Sequence, residues 1–240
     1  VLPHLATATA IGTGLVTAIA AGLLLFGVAR QGALHYEIGG WTAGLGIALR
    51  ADGLSTLLLM MTALVVLAAS IYASAYFSAA SERARFWPLW LLLWTALNAL
   101  LLSGDLFNLY ITLELLGLGA VALASLGGKR AAVAAALRYL LVGLLGSMLF
   151  LAGVSLIYAG YGTLDLDLLS GVLAHGPVAW TALALMTTGL LLKTALFPLH
   201  FWLPAAHASA PAPVSAVLSA LVIKAAFYLV MRLWLDVFAN

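Results

Sequence analysis

Residues 178–206 read VAWTALALMTTGLLLKTALFPLHFWLPAA. The run is almost wholly apolar and exceeds the roughly 20 residues that an α-helix needs to cross a hydrocarbon core about 30 Å thick. It nevertheless carries Lys193 near its middle, followed by Pro198 and Pro204. A lysine at that depth costs about 2.5–3.5 kcal/mol on insertion scales. Pro198 has no N–H for the carbonyl of Thr194, and Pro204 none for that of His200, so the helix is expected to kink or break between the two prolines. Freed backbone groups are tolerated in a membrane only inside protein or beside water. This one segment therefore predicts a membrane protein with a broken helix and a polar interior.

The rest of the chain agrees. Of 240 residues, 65% are apolar and only 8% are Asp, Glu, Lys or Arg, whereas soluble domains carry about a quarter. That composition excludes a water-soluble globule, and equally excludes disorder. Ten scattered Lys and Arg with a formal net charge of +2 do not make a nucleic-acid surface. Cutting the sequence at its charges leaves 5–29, 53–81, 86–104 and 139–164 free of Asp, Glu, Lys and Arg. Three further segments hold one central charge each: 106–128 with Glu114, 178–206 with Lys193 and 208–231 with Lys224. The expectation is an all-α, polytopic bundle of about seven transmembrane helices forming a single membrane domain over 1–240, divisible into N-terminal helices (1–102) and a second part (103–240). The connection 160–177 contains Leu164-Asp165-Leu166-Asp167-Leu168, whose alternation suits a short extended piece or an interfacial turn.

Seven crossings put the loops at 82–85 and 127–130 on the face where the chain starts. Their Arg83, Arg85, Lys129 and Arg130 suggest that Val1 lies inside and Asn240 outside. No charged leader precedes Arg30, so the start is read as either processed or part of a longer polypeptide. Trp41, Trp87, Trp90 and Trp180 fall near expected helix ends, as interfacial belts require. Gly143, Gly146 and Gly153 allow close helix approach. Ser and Thr within the helices read as packing.

The buried charges need a purpose. Left unpaired, three would cost roughly 8–10 kcal/mol together, comparable with a domain's whole net stability of about 5–15 kcal/mol. Glu114, flanked by leucines, cannot reach an interface; the stems of Lys193 and Lys224 could reach only part-way. Burial drives a lysine toward neutrality and a nearby carboxylate drives it back. One acid and two amines thus form a site whose proton occupancy changes when any partner moves. His200 and His207 follow Lys193 at steps of seven, near one face if the helix is continuous, and each imidazole can pass a proton between its nitrogens. These five residues are the candidate relay. Arg138 reads as a snorkelling anchor, while His4, His35 and His175 sit in or beside loops. With no cysteine and no metal-ligand or phosphate-loop spacing, neither metal nor cofactor is expected.

The stretch LLLKTALFPLHFWLPAAHASAPAPVSAVLSALVIKAAFYL, residues 190–229, resembles the broken helix and following lysine helix of the antiporter-like subunits shared by respiratory complex I and Mrp-type cation/proton antiporters. SGDLFNLYITLELLGLGA, residues 103–120, resembles that family's glutamate helix, and GGWTAGLGIALRADGLSTLLL, residues 39–59, looks most like the D-type subunit of Mrp antiporters. The resemblance implies the first half of an inverted-repeat fold, with 103–240 as its proton-translocating repeat. Glu114 would tune Lys193, Lys224 would pass the proton onward, and His200 and His207 would assist. Family members in complex I often have a histidine where this chain has Ser219, which points to the Mrp-like branch. Also implied are sister membrane subunits as partners, protons and sodium or potassium as cargo, a multi-pass place in the cell (inner) membrane, and no bond chemistry by the chain itself. The alternatives are a proton-pumping subunit of an NADH:quinone oxidoreductase or membrane hydrogenase and, more distantly, a seven-helix retinal protein with Lys224 as its Schiff base.

Overall fold

The computed structural model describes residues 3–41, 46–174 and 176–239; Val1, His175, Asn240 and the side chain of His4 lie outside them. Helices occupy most of each charge-free run. The long elements are α1 (Pro3–Gln31), α2 (Gly53–Tyr76), α3 (Ala80–Leu102), α4 (Leu106–Ala124) and α5 (Arg130–Tyr161). A short α6 (Leu166–Val172) precedes α7 (Pro177–Lys193) and α8 (Leu203–Ser209); α9 (Ala212–Val217) and α10 (Ile223–Arg232) follow. The last two are continuous through a π-turn at Leu218–Val222, and a second π-turn closes the span at Leu233–Val237. Six of these spans are long and apolar enough to cross a membrane. The seventh expected crossing is the interrupted one: α7, of 17 residues, is apolar but shorter than these six, and the irregular turn and α8 follow it.

Several boundaries differ from the expected ones. Glu82, Arg83 and Arg85 belong to the opening turns of α3 instead of a loop, and α5 starts at Arg130, nine positions before the charge-free run. Helices outrun the hydrocarbon core into water, where charges on their end turns cost little. Arg83 shows their use, donating to the carbonyls of Phe77 (2.7 Å) and Ser78 (3.2 Å) at the end of α2. Arg138 lies on the exposed side of α5, as an anchor requires.

The opposite face is organised by a hairpin that the loop assignment did not anticipate. Strand β1 (Leu34–Glu37) pairs antiparallel with β2 (Ala48–Ala51), Leu34 facing Ala51 and Glu37 facing Ala48. Gly104 N–H donates to Ala48 O, Leu106 N–H to Leu164 O and Leu166 N–H to Gly104 O, each at 2.9 Å. These bonds lace the hairpin to two connections below it. A Cβ at Gly104 would stand 3.1 Å from Ala48 O, so the lacing depends on a glycine there. Asp165 is extended, as the alternation suggested, but Leu166 already begins α6.

The helices starting on this face are capped by acids. Asp52 accepts from Ser55 N–H at 2.9 Å, Asp105 from Asn108 N–H at 2.7 Å, and Asp165 from Asp167 and Leu168 N–H, both at 3.0 Å. Carboxylates satisfy orphan N–H groups and the helix dipole there, which explains why acids collect on this side.

Trp87 and Trp90 do not form an interfacial belt; both are buried, with Phe86, in the core around α3. Trp90 Nε1 donates to Ser70 Oγ at 2.8 Å. Because α1, α2 and α4 all pack on α3, its aromatics become core. Trp41 and Trp180 are exposed, as expected.

Candidate functional site, a buried carboxylate–lysine pair

Lys193 is the last residue of α7. The helix does not break between the prolines but upstream of both. The ring of Pro198 conflicts with the carbonyl four residues earlier, and the chain leaves the helix at Thr194. It stays irregular to Trp202, with Ala195 at φ 54°. Pro204 instead falls in the first turn of α8, where its missing N–H costs nothing. The freed carbonyls are taken up locally. Leu190 O accepts from Thr194 N–H (2.8 Å) and Thr194 Oγ1 (2.7 Å); Leu192 O accepts from Ala195 N–H and from Trp202 Nε1, both at 3.2 Å. Trp202 is buried and stacked on Tyr139 of α5, ring centroids 4.5 Å apart at 15°. That stack fixes the returning chain against α5.

Lys193 Nζ lies 2.9 Å from Glu114 Oε1. The two side chains are 10% and 19% exposed. Ser147 Oγ, on α5, donates to the same carboxylate oxygen. Glycine brings these helices together: a Cβ on Gly146 would stand 2.7 Å from Gly189 O and 3.0 Å from Lys193 Cγ, and one on Gly153 would stand 2.7 Å from Ala182 O. Gly143 behaves differently: among the described residues a Cβ there would meet nothing within 4 Å. It borders a cavity of about 30 Å³ whose lining includes Glu114, Lys193, Tyr139, Val222 and Ala226. Such a volume holds a water molecule or two. Its far wall, Val222 and Ala226, belongs to the helix that bears Lys224.

The remaining candidates stand apart from the pair. Lys224 is exposed and donates to the carbonyl of Ser219, within the π-turn that precedes it. His207 Nδ1 is 2.9 Å from Ser215 Oγ, and Lys224 lies within electrostatic range of its ring. His200 is exposed, its ring tilted over Phe197 at 5.6 Å. The sevenfold spacing of Lys193, His200 and His207 has no meaning here, since the helix it presumed is interrupted between the first two.

A second ionic cluster lies at the hairpin face. Arg232 donates to Asp52 through two nitrogens, both at 2.6 Å, to Asp236 at 2.7 Å and to Tyr228 Oη at 2.8 Å. Arg50 reaches Asp167 (3.2 Å), Asp52 (3.4 Å) and Asp236 (3.5 Å), and His35 Nδ1 is 3.1 Å from Asp167. Burial pushes the Asp52 carboxyl up, but the Arg232 hydrogen bond, the Ser55 N–H and the charges of Arg232 and Arg50 outweigh it and hold it at about 2. Asp105 is pushed up from the ordinary carboxylate value, chiefly by burial. The i, i+4 spacing of Arg232 and Asp236 was a visible signal; the reach across 180 positions to Asp52 was not. Among the described residues no group of three or more His, Asp or Glu could hold a metal ion.

Residues 103–240, more than half of the chain and the part holding Glu114, Lys193 and Lys224, match the transmembrane family described as "NADH:quinone oxidoreductase/Mrp antiporter, TM". The chain belongs to this family. The N-type subunit of the NADH-quinone oxidoreductase of Desulforudis audaxviator (strain MP104C) is 41% identical over 83% of this chain and 40% of its own length. The D-type subunit of a probable K(+)/H(+) antiporter of Rhizobium meliloti (strain 1021) is 39% identical over 85% and 38%. In shape the chain is similar to part of the Mrp complex from Dietzia sp. DQ12-45-1b, with a TM-score of 0.91 at 29% identity over 99% of this chain and 45% of that one. The chain thus spans about two fifths of the length of the curated relatives it matches. As a member of the NADH:quinone oxidoreductase/Mrp antiporter family it is a multi-pass membrane protein, and the retinal reading falls. Glu114 is engaged by Lys193, not by Lys224, whose partner is a backbone carbonyl.

Proposed function

We propose that the chain is the proton-handling part of an antiporter-like membrane subunit, with the Glu114–Lys193 pair as its switchable centre. The observation that carries this is the 2.9 Å ion pair at a helix break, beside a cavity that reaches the Lys224 helix. An ion pair in a low-dielectric interior is a poor way to gain stability, because desolvation offsets attraction. It is a good way to hold a proton whose affinity depends on distance. Lys193 holds the proton while Glu114 is near; separation weakens that hold and releases the proton toward the cavity and the Lys224 helix. In this reading Lys224 and His207 receive it, and exposed Lys224 and His200 face the portion of the longer protein that completes the path. Sister membrane subunits, and sodium or potassium as the exchanged ion, belong to the same proposal. The similarity in shape to the Mrp complex supports the antiport branch, while the oxidoreductase relative keeps a redox-driven pump as its rival.

The test uses the full-length protein with its partner subunits in everted membrane vesicles. A ΔpH-sensitive dye follows proton movement on addition of sodium, potassium or NADH. Lys193→Ala is expected to abolish coupled proton movement while the complex still assembles. Full transport by that variant refutes the role. The driving addition that works, salt or NADH, assigns the branch.

A further inference from the structure

Ser147 is a residue that composition assigned to packing, and its contacts say otherwise. It is fully buried on α5, one position after Gly146, where glycines bring α5 and α7 into close contact. Its single hydroxyl proton has two acceptors in reach. One is Glu114 Oε1, the oxygen that also accepts from Lys193 Nζ. The other is the carbonyl of Gly143 at 3.1 Å, the backbone bond a helical serine usually makes. A hydroxyl rotates freely to suit its surroundings, so its choice follows the charge on Glu114.

We propose that Ser147 is a positioning residue that holds the Glu114 carboxylate in place while Lys193 is without its proton. This rests on the relay reading above. When the Lys193 ammonium gives its proton away, Nζ becomes neutral and Glu114 keeps its negative charge. Oε1 then has lost one of its two charge-assisted donors, and the Ser147 O–H remains. When Glu114 itself takes up a proton, the hydroxyl turns to Gly143 O and leaves the carboxyl free to move. Hydrogen bonds to charged groups are about twice as strong as neutral ones, so the rotor favours the charged carboxylate. The cavity beside the pair has Glu114, Lys193 and Tyr139 in its lining; Ser147 meets the carboxylate from α5, outside that lining.

The experiment compares Ser147→Ala and Ser147→Cys with Glu114→Gln and Lys193→Ala, all in the assembled full-length complex. Proton-coupled transport is measured in vesicles. Infrared difference spectra between two pH values, on the purified complex, report the protonated carboxyl band that Glu114→Gln identifies. Ser147→Ala is expected to slow transport about tenfold or more, the worth of a hydrogen bond to a charged group. The Glu114 band is expected to gain intensity, because a carboxylate that has lost a donor takes up a proton more readily. Ser147→Cys, close in volume but a weak donor, is expected to behave the same way, and it decides the matter if the alanine variant does not assemble. Wild-type transport with an unaltered band overturns the proposal, as does slowed transport with an unaltered band, which marks a packing role. Normal transport in Glu114→Gln and Lys193→Ala sinks the relay itself, whatever Ser147 does.

Discussion

Glu114 and Lys193 meet as one ion pair with one hydroxyl and a cavity at their side, whereas Arg232 at the hairpin face has both carboxylate oxygens of Asp52, one of Asp236 and the Tyr228 hydroxyl around a single guanidinium. Both clusters are largely removed from solvent. What differs is saturation. Arg232 is planar and permanently charged, and its fork matches a carboxylate through two parallel bonds; moving any partner breaks several contacts at once. Lys193 is a point charge on a flexible stem whose charge is itself variable, and a small shift changes one distance. A saturated cluster holds the first hairpin to the end of the last helix; an unsaturated one can change state.

The contrast breaks most directly by neutralising each cluster. In the assembled complex, the double variant Glu114→Gln/Lys193→Met is expected to lose all coupled transport yet keep its thermal stability or gain about 1–4 kcal/mol, since apolar replacement of a buried pair removes its desolvation cost. Arg232→Ala is expected to do the reverse. It leaves Asp52 and Asp236 without their main partner, which costs about 3–5 kcal/mol, while transport per assembled complex persists. Detergent melting curves beside vesicle transport measure both. Stability lost in the first variant, or kept in the second, would mean that the two clusters are not built for different ends.

Acid sharpens the same distinction with a smaller effect. The Asp52 carboxyl is held at about 2, below the 3.8 of the unfolded chain. A lowered value contributes stability that is complete above the unfolded value and is lost as pH falls through the folded one. The gap in melting temperature between the native complex and its Asp52→Asn variant is therefore expected to be constant above about pH 4 and to close toward pH 2. A gap that does not change over that window would show that the carboxylate charge is not what Arg232 holds.

Much of this was legible because lipid makes charge conspicuous. Charge-free runs located the helices, and the cost of Glu114 and Lys193 announced a site before any geometry was known. Where water intervened, legibility failed. Glu82, Arg83, Arg85 and Arg130 looked like loop residues, although helix ends outside the hydrocarbon core accept charges freely. The position of the break was misjudged because a proline acts on the carbonyl four residues before it, which moved the helix end back to Lys193 and let Pro204 open the next helix. Trp87 and Trp90 are aromatic near a helix end, and only their neighbours decide between membrane interface and core. Ser147 was unreadable for the same reason: its local bond to Gly143 O is what any helical serine does, and its second acceptor arrives from another helix.

The smallest expected effect concerns the seam between the break and the pair. Trp202 donates to Leu192 O at 3.2 Å and stacks on Tyr139, so the carbonyl one residue before Lys193 is bound from the returning chain. Trp202→Phe keeps an aromatic surface for the stack and removes the N–H. Leu192 O retains Ala195 N–H at 3.2 Å as a second donor, which limits the loss to about 1 kcal/mol, that of an ordinary hydrogen bond. Melting should fall by that amount, with transport lowered only several-fold, because Glu114 and Lys193 keep their own contact. A complete loss of transport would place the indole N–H inside the proposed proton-handling centre, and the seam could no longer be counted with the fixed parts of the molecule.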